Sequence, residues 1–104
     1  MSDSIISNRK ECLVCKITKN LHRHHVFYGT ANRQKSEDYG CWVYLCFRHH
    51  NGSMAGVHSN RTFDNRLKQM CQRKWETLYG TREDFIKVFG RSWIIEEDKE
   101  DGEQ

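Results

Sequence analysis

Polar and apolar positions alternate across Leu21–Tyr28, LHRHHVFY, a run rich in Val, Phe and Tyr, and the pattern predicts a β-strand. A second apolar run, CWVYLC at Cys41–Cys46, predicts another. Between them GTANRQKSEDYG mixes Gly, Asn and Ser without periodicity, which predicts a loop and makes the strands an open hairpin. NGSMAGVHSN, at Asn51–Asn60, carries two glycines and reads as a linker or irregular turn. The clearest helix follows: Phe63, Leu67, Met70, Cys71, Trp75 and Leu78 recur at three- and four-residue steps. Asn60 or Thr62 can cap its start, and Gly80 stands where a C′ residue belongs. Thr81-Arg82-Glu83-Asp84 then opens a second, shorter helix with a near capping box. Phe85, Val88 and Phe89 form its apolar face, Gly90 ends it, and RSWII packs back as a short extended piece. Met1–Lys10 reads as a flexible lead and residues 96–104 as a disordered acidic tail, leaving one α+β domain at residues 11–95.

A chain of 104 residues supports one small domain with a thin core. With 37% hydrophobic residues it is too apolar for wholesale disorder. No apolar run approaches the ~20 residues of a membrane span. The N-terminal segment lacks the basic and then apolar regions of a signal peptide, so a reducing, cytoplasmic setting is expected. Five cysteines, an odd number, argue there against a disulfide framework and for thiolate ligation of a metal. Cys71 lies on the apolar helix stripe and is expected in the core, while Cys41 is assigned no function. Charge is uneven: EEDKEDGEQ carries six acids and one lysine, and residues 1–95 hold sixteen Lys and Arg against eight Asp and Glu. That excess suits a polyanion such as nucleic acid, although solubility alone also explains surface charge.

Cys12-x2-Cys15 and Cys46-x2-His49 are two knuckles of one size, each offering two ligands to a tetrahedral ion. They predict a structural zinc site of Cys3His type, which in small domains supplies roughly 10–16 kcal/mol of apparent folding free energy. A redox CxxC is the alternative, but that motif opens a helix and a strand-like run follows here.

Five histidines remain: His22, His24, His25, His50 and His58. Neighbours on a strand face opposite ways, so His24 and His25 do not readily ligate one ion. At a strand end they suit two jobs, one ligating a metal and the other acting as a base. His50 emerges just beyond the zinc knuckle, so a folded hairpin can bring it to His24 at a second metal. His58 is then a third ligand or a substrate contact. His22 shares a face with His24, as an alternate ligand or a surface residue. The plain alternative is ordinary strand histidines, one of them buried and hydrogen-bonded.

The order CxxC, HHV, an Asn-bearing loop, LCxxHHN and a helix resembles the HNH, or ββα-metal, endonuclease family. From about Glu11 to Trp93 the chain is most similar to phage recombination-enhancement, RecA-dependent nucleases. The resemblance implies a zinc-stapled hairpin-plus-helix with an additional C-terminal helix. It implies His24 and His50 as ligands of a catalytic divalent metal (Mg²⁺, Mn²⁺, Ni²⁺ or Zn²⁺) and His25 as general base. Asn32 would be the family's middle Asn, bracing the loop. Many members have Asp in place of His24 and Cys in place of His49. In the common pattern a helix directly follows the ligand matching His50; here NGSMAGVHSN intervenes, leaving His50, His58 or both to complete the site.

The expected function is hydrolysis of DNA phosphodiesters in phage or prophage DNA processing or recombination, in a bacterial host's cytoplasm. The expected partners are DNA and, by resemblance alone, a RecA-type recombinase filament, with the chain a monomer. Arg23, Arg33, Lys35, Arg48, Arg61 and Arg66 are candidates for contacts to the DNA backbone. The rival readings are a non-catalytic, zinc-stabilised DNA-binding or adaptor module and an RNA-directed or toxin-like nuclease.

Overall fold

A computed structural model describes residues 3–52 and 55–94; the acidic tail expected at residues 96–104 lies outside the described residues. The two apolar runs form an antiparallel pair, β1 (Leu21–His25) with β2 (Trp42–Cys46). Leu21 stands opposite Cys46 and His25 opposite Trp42. β1 is shorter than its pattern suggested. Val26 and Phe27 leave the sheet and are fully buried, with the Val26 N–H donating to the Cys41 carbonyl at 2.9 Å.

The segment expected to be a loop between the strands contains a helix, α1 (Asn32–Tyr39). The expectation failed because α1 has no apolar stripe; its one buried residue is Ser36. The Ser36 hydroxyl donates to the Phe27 carbonyl at 2.6 Å and accepts from the Phe27 N–H at 3.2 Å. Periodicity cannot report a helix docked chiefly by polar side chains. Gly40 ends it at φ 74°, a left-handed conformation that glycine adopts without strain.

The residues after β2, to which the pattern gave no element, form a short helix that takes in only Asn51 of the expected linker. α2 (Phe47–Asn51) begins at the residue after β2. Next comes α3 (Arg61–Leu78), capped by Asn60, whose side chain accepts from the Phe63 N–H at 3.0 Å. α4 (Arg82–Phe89) opens with the anticipated box. Thr81 accepts from the Asp84 N–H at 3.1 Å, and Asp84 accepts from the Thr81 N–H at 3.0 Å. Its stop is Gly90 at φ 96°.

Beyond α4 the chain bends back without forming a strand, and a buried glutamine holds it there. Gln72 on α3 accepts from the Trp93 N–H at 2.8 Å and donates to the Ser92 hydroxyl at 2.9 Å. Leu67, Cys71 and Trp75 of α3 pack with Phe85 and Phe89 of α4, Phe27, and the strand residues Val43 and Leu45. Cys41 and Cys71 are both fully buried and hydrogen-bonded to each other. That bond and burial raise the Cys71 thiol well above its ordinary range, as suits the expected core residue.

The lead expected to be flexible is docked from residue 3 onward. The Ile5 N–H donates to the Gly40 carbonyl at 2.9 Å and the Ser4 hydroxyl to the Trp42 carbonyl at 2.6 Å. Ile5 and Ile6 rest on the core. The run lacked periodicity because so few of its side chains reach that core. No helix among the described residues is long and apolar enough to cross a membrane.

Phe27 meets Phe85, Phe89 and Trp93 at ring separations of 5.2, 4.7 and 4.9 Å, joining the hairpin to the C-terminal helices. Phe27→Ala is expected to destabilise the protein by about 3–5 kcal/mol. Urea unfolding followed by circular dichroism measures this; an unchanged midpoint would remove Phe27 from the centre of the core.

Candidate functional site

The N-terminal knuckle is a tight turn closed by backbone bonds, Lys16 N–H to Cys12 carbonyl at 3.0 Å and Cys12 N–H to Ile17 carbonyl at 2.8 Å. Lys16 takes a left-handed φ of 68° to complete it. The Leu13 N–H donates to the Tyr44 carbonyl at 2.9 Å and so docks the turn on β2. Cys46 ends β2 and His49 lies one turn on in α2, so the second knuckle faces the first. The Cys15 and Cys46 sulfurs are 3.7 Å apart; His49 Nδ1 is 3.7 Å from the Cys12 sulfur and 3.2 Å from that of Cys46. A tetrahedral ion with sulfur ligands at about 2.3 Å has sulfur–sulfur edges of roughly 3.8 Å. Cys12, Cys15, Cys46 and His49 could therefore hold one metal ion. Burial works to raise the Cys12 thiol, but the N–H groups of Cys15, Cys46 and Val14 and the Cys15 thiol outweigh it. The net effect lowers Cys12 to about 6, which favours the thiolate a metal needs.

A second cluster draws on three elements. His24 comes from β1, His50 from α2, and His58 from the turn before α3. The chain past α2 folds back so that the Val57 N–H donates to the His49 carbonyl at 2.8 Å and the His58 N–H to the His50 carbonyl at 3.4 Å. Only glycine fits at position 56, where a Cβ would come within 2.6 Å of Gly52 backbone atoms. His50 and His58 thus meet over one turn, and with His24 they form a set of three that could hold a metal ion. The His50 and His58 Nε2 atoms are 3.1 Å apart, and the ring centroid of His24 lies 5.3 Å from that of His50 and 5.1 Å from that of His58.

His24 is buried, and its Nε2 has no hydrogen-bond partner. A buried imidazole nitrogen with no partner is costly, and a metal ion among these three rings would satisfy it. Burial first, then the neighbouring His50 and His58, lowers the His24 pKa to about 3. Burial, His58 and His22 lower that of His50 to about 4. Both are neutral at pH 7, the form that ligates. His22, ambiguous in the sequence, is 2.9 Å from His50, Nδ1 to Nδ1. It engages the His50 nitrogen turned away from His58.

His25 ends β1 and faces away from His24, as strand alternation requires. Its Nε2 lies 2.7 Å from Glu37 Oε2. Arg23, on the same face, donates from Nη1 to both oxygens of Glu37 at 3.0 Å, and its guanidinium stacks on Trp42 at 3.7 Å. Because the strand stops at His25, both histidines still reach one open cleft of about 290 Å³. Arg23, Tyr28, Arg33, His50 and His58 complete its lining. The Tyr28 hydroxyl donates to Asp64 Oδ2 at 2.8 Å, and burial together with Asp64 raises the phenol to about 12.

The remaining candidates lie elsewhere. Lys35 donates to the Val88 carbonyl at 2.6 Å, and Asn32 braces α1 to α4 through the Phe89 carbonyl at 3.2 Å. Arg48, Arg61 and Arg66 are exposed and do not line the cleft. Glu37 and Tyr28 were missed. Glu37 sits in a helix whose pattern carries no periodic signal, and Tyr28 reads as one more strand aromatic. Comparison with protein-family models, curated proteins and solved structures finds no match to this chain.

The histidine shifts carry a sign. Between pH 6.5 and about 3–4 the unfolded chain binds protons at positions 24 and 50 that the folded chain refuses. Stability contributed by the neutral rings is therefore complete above pH 6.5 and falls as pH drops through that window. Thermal melts at fixed metal content should show a falling Tm from pH 7 to 5. His24→Asn should flatten that slope; an equal slope in the variant would mean that His24 is not held neutral.

Proposed function

We propose that this chain is a metal-dependent DNA endonuclease of the HNH type. The observation that carries the reading is the convergence of His24, His50 and His58 with His25 on one cleft, beside a separate four-ligand metal set. A binding module has use for the four-ligand set but leaves the histidine set and His25 without a task. Zinc suits the Cys12, Cys15, Cys46 and His49 set, because three thiolates and an imidazole match its preference for soft, tetrahedral ligation. His24, His50 and His58 offer imidazole only; three such ligands would hold a divalent ion of the kind found in catalytic rather than closed structural sites. A divalent ion held there would supply Lewis-acid stabilisation of the charge that builds on phosphate.

The chain's own residues account for the rest. His25 takes a proton from a water molecule in the cleft, and the water oxygen attacks phosphorus in line with the leaving 3′ oxygen. The products carry 5′-phosphate and 3′-hydroxyl ends. Arg23 and Arg33 bring positive charge to the cleft wall, where a phosphodiester would pass. Arg48 and Arg61 extend that charge outside it, and Lys35 contributes to the field while holding Val88. The phage or prophage setting, the bacterial cytoplasm and a RecA-type filament as partner rest on the family resemblance.

Incubating supercoiled plasmid with the protein and Mg²⁺, Mn²⁺, Ni²⁺ or Zn²⁺ tests the reading. Nicked or linear product is expected with at least one ion, and none with any ion would refute it. His25→Ala should cut at least about a hundredfold more slowly at unchanged metal content and DNA affinity. Cys12→Ser should lose one bound metal per chain by mass spectrometry and melt at a lower temperature. Retention of both would free the fold from dependence on that cluster.

A further inference from the structure

Glu37 is a carboxylate brought from α1 to His25, twelve residues beyond the histidine it contacts. Its setting is specific. Oε2 lies 2.7 Å from His25 Nε2, and both oxygens accept from Arg23 Nη1 at 3.0 Å. Arg23 is itself immobilised against the Trp42 ring, and Trp42 is the register partner of His25 across the sheet. Glu37 and His25 are each largely buried, with side-chain exposures of 17% and 22%. Four side chains therefore interlock along one face of the hairpin.

We propose that Glu37 is a positioning residue for His25, selecting the imidazole tautomer that leaves Nδ1 as the proton acceptor. The inference rests on the nuclease reading above and goes beyond it. A carboxylate paired with a guanidinium offers only acceptors, so His25 Nε2 must be the donor in their contact. A neutral imidazole has one N–H. With that hydrogen on Nε2, the lone pair is on Nδ1. When water transfers its proton, the water O–H bond breaks, an N–H bond forms at Nδ1, and the oxygen's electron pair forms the new P–O bond. The old P–O bond breaks, and the leaving oxygen takes a proton from solvent. The imidazolium then lies against the Glu37 carboxylate, which stabilises it. Arg23, donating to both oxygens, stops that carboxylate turning away. The arrangement does for His25 what the buried aspartate does for histidine in a serine-protease triad, on an unrelated scaffold.

Glu37→Gln keeps the shape and removes the charge. With its oxygen in the place of Oε2, its NH₂ faces the Arg23 guanidinium, donor against donor, so the amide is driven to turn its NH₂ toward His25. An amide NH₂ turned toward Nε2 favours the tautomer with hydrogen on Nδ1, which blocks the base. The test has two arms. Nitrogen-15 NMR of the wild-type protein should show His25 as the Nε2–H tautomer; the Nδ1–H tautomer would overturn the proposal. Nicking rate against plasmid concentration should show kcat of Glu37→Gln reduced by about a hundredfold or more, with KM within about threefold of wild type. A kcat within about threefold of wild type, or a change confined to KM, would overturn it and leave Glu37 a structural or substrate contact. If Glu37→Gln fails to fold by circular dichroism, the wild-type tautomer decides. A wild-type protein inactive with every divalent ion would defeat the nuclease reading and this inference with it. An active wild type with an equally active Glu37→Gln would defeat this inference alone.

Discussion

The junction of β2 with α2 fixes the two ligand clusters relative to each other. Cys46 is the last residue of the strand and Phe47 the first of the helix, so Cys46, His49 and His50 fall within a span of five residues. Cys46 and His49 turn toward the N-terminal knuckle; His50 turns toward His24 and His58. An ion held by the first set would pin the start of α2, and with it the aim of His50. The β1–β2 register places Leu21 beside Cys46 and His25 at the far end, beside Trp42. The same ladder thus aligns the cysteine set at one end of the hairpin and His25 at the other.

Around that frame the core is small, and polar pins do work that apolar area does elsewhere. Ser36 joins α1 to the Phe27 backbone, and Gln72 joins α3 to the segment after α4. Each is fully buried with its hydrogen bonds satisfied. Such bonds stabilise modestly when made, but leaving one partner buried and unpaired costs more. They therefore specify one docking arrangement more than they add stability. Phe27 carries the apolar share of the same connection, stacking the hairpin on Phe85, Phe89 and Trp93.

The cleft divides its electrostatics between two sides of β1. On the His24 side, burial and the neighbouring rings hold His24 and His50 neutral, the form that ligates. Beside them Lys68, largely buried, is paired with Asp64 at 3.1 Å and sits 4.3 Å above the Tyr28 ring. A buried cation is tolerable only when compensated in this way. On the His25 side a carboxylate and a guanidinium face the imidazole. One peptide bond separates the two environments because the strand points successive side chains to opposite faces.

Local features written in single residues were legible along the chain. Alternation located β1, an apolar run located β2, three-four periodicity located α3, and the Asn60, Thr81 and Gly90 punctuation located helix ends. Spacing paired Cys12-x2-Cys15 with Cys46-x2-His49, and alternation separated His24 from His25. These signals survive because backbone geometry repeats every two or 3.6 residues and a knuckle is short. Only the tertiary structure decided the rest. α1 has no apolar stripe, and it docks through scattered polar contacts from Asn32, Lys35, Ser36 and Glu37 to distant parts of the chain. His58 joined His50 because the chain after α2 returns on its own carbonyls. Glu37 reached His25, and His22 reached His50, across gaps of twelve and twenty-eight residues. Such contacts depend on where whole elements dock, and no repeat along a single chain records that.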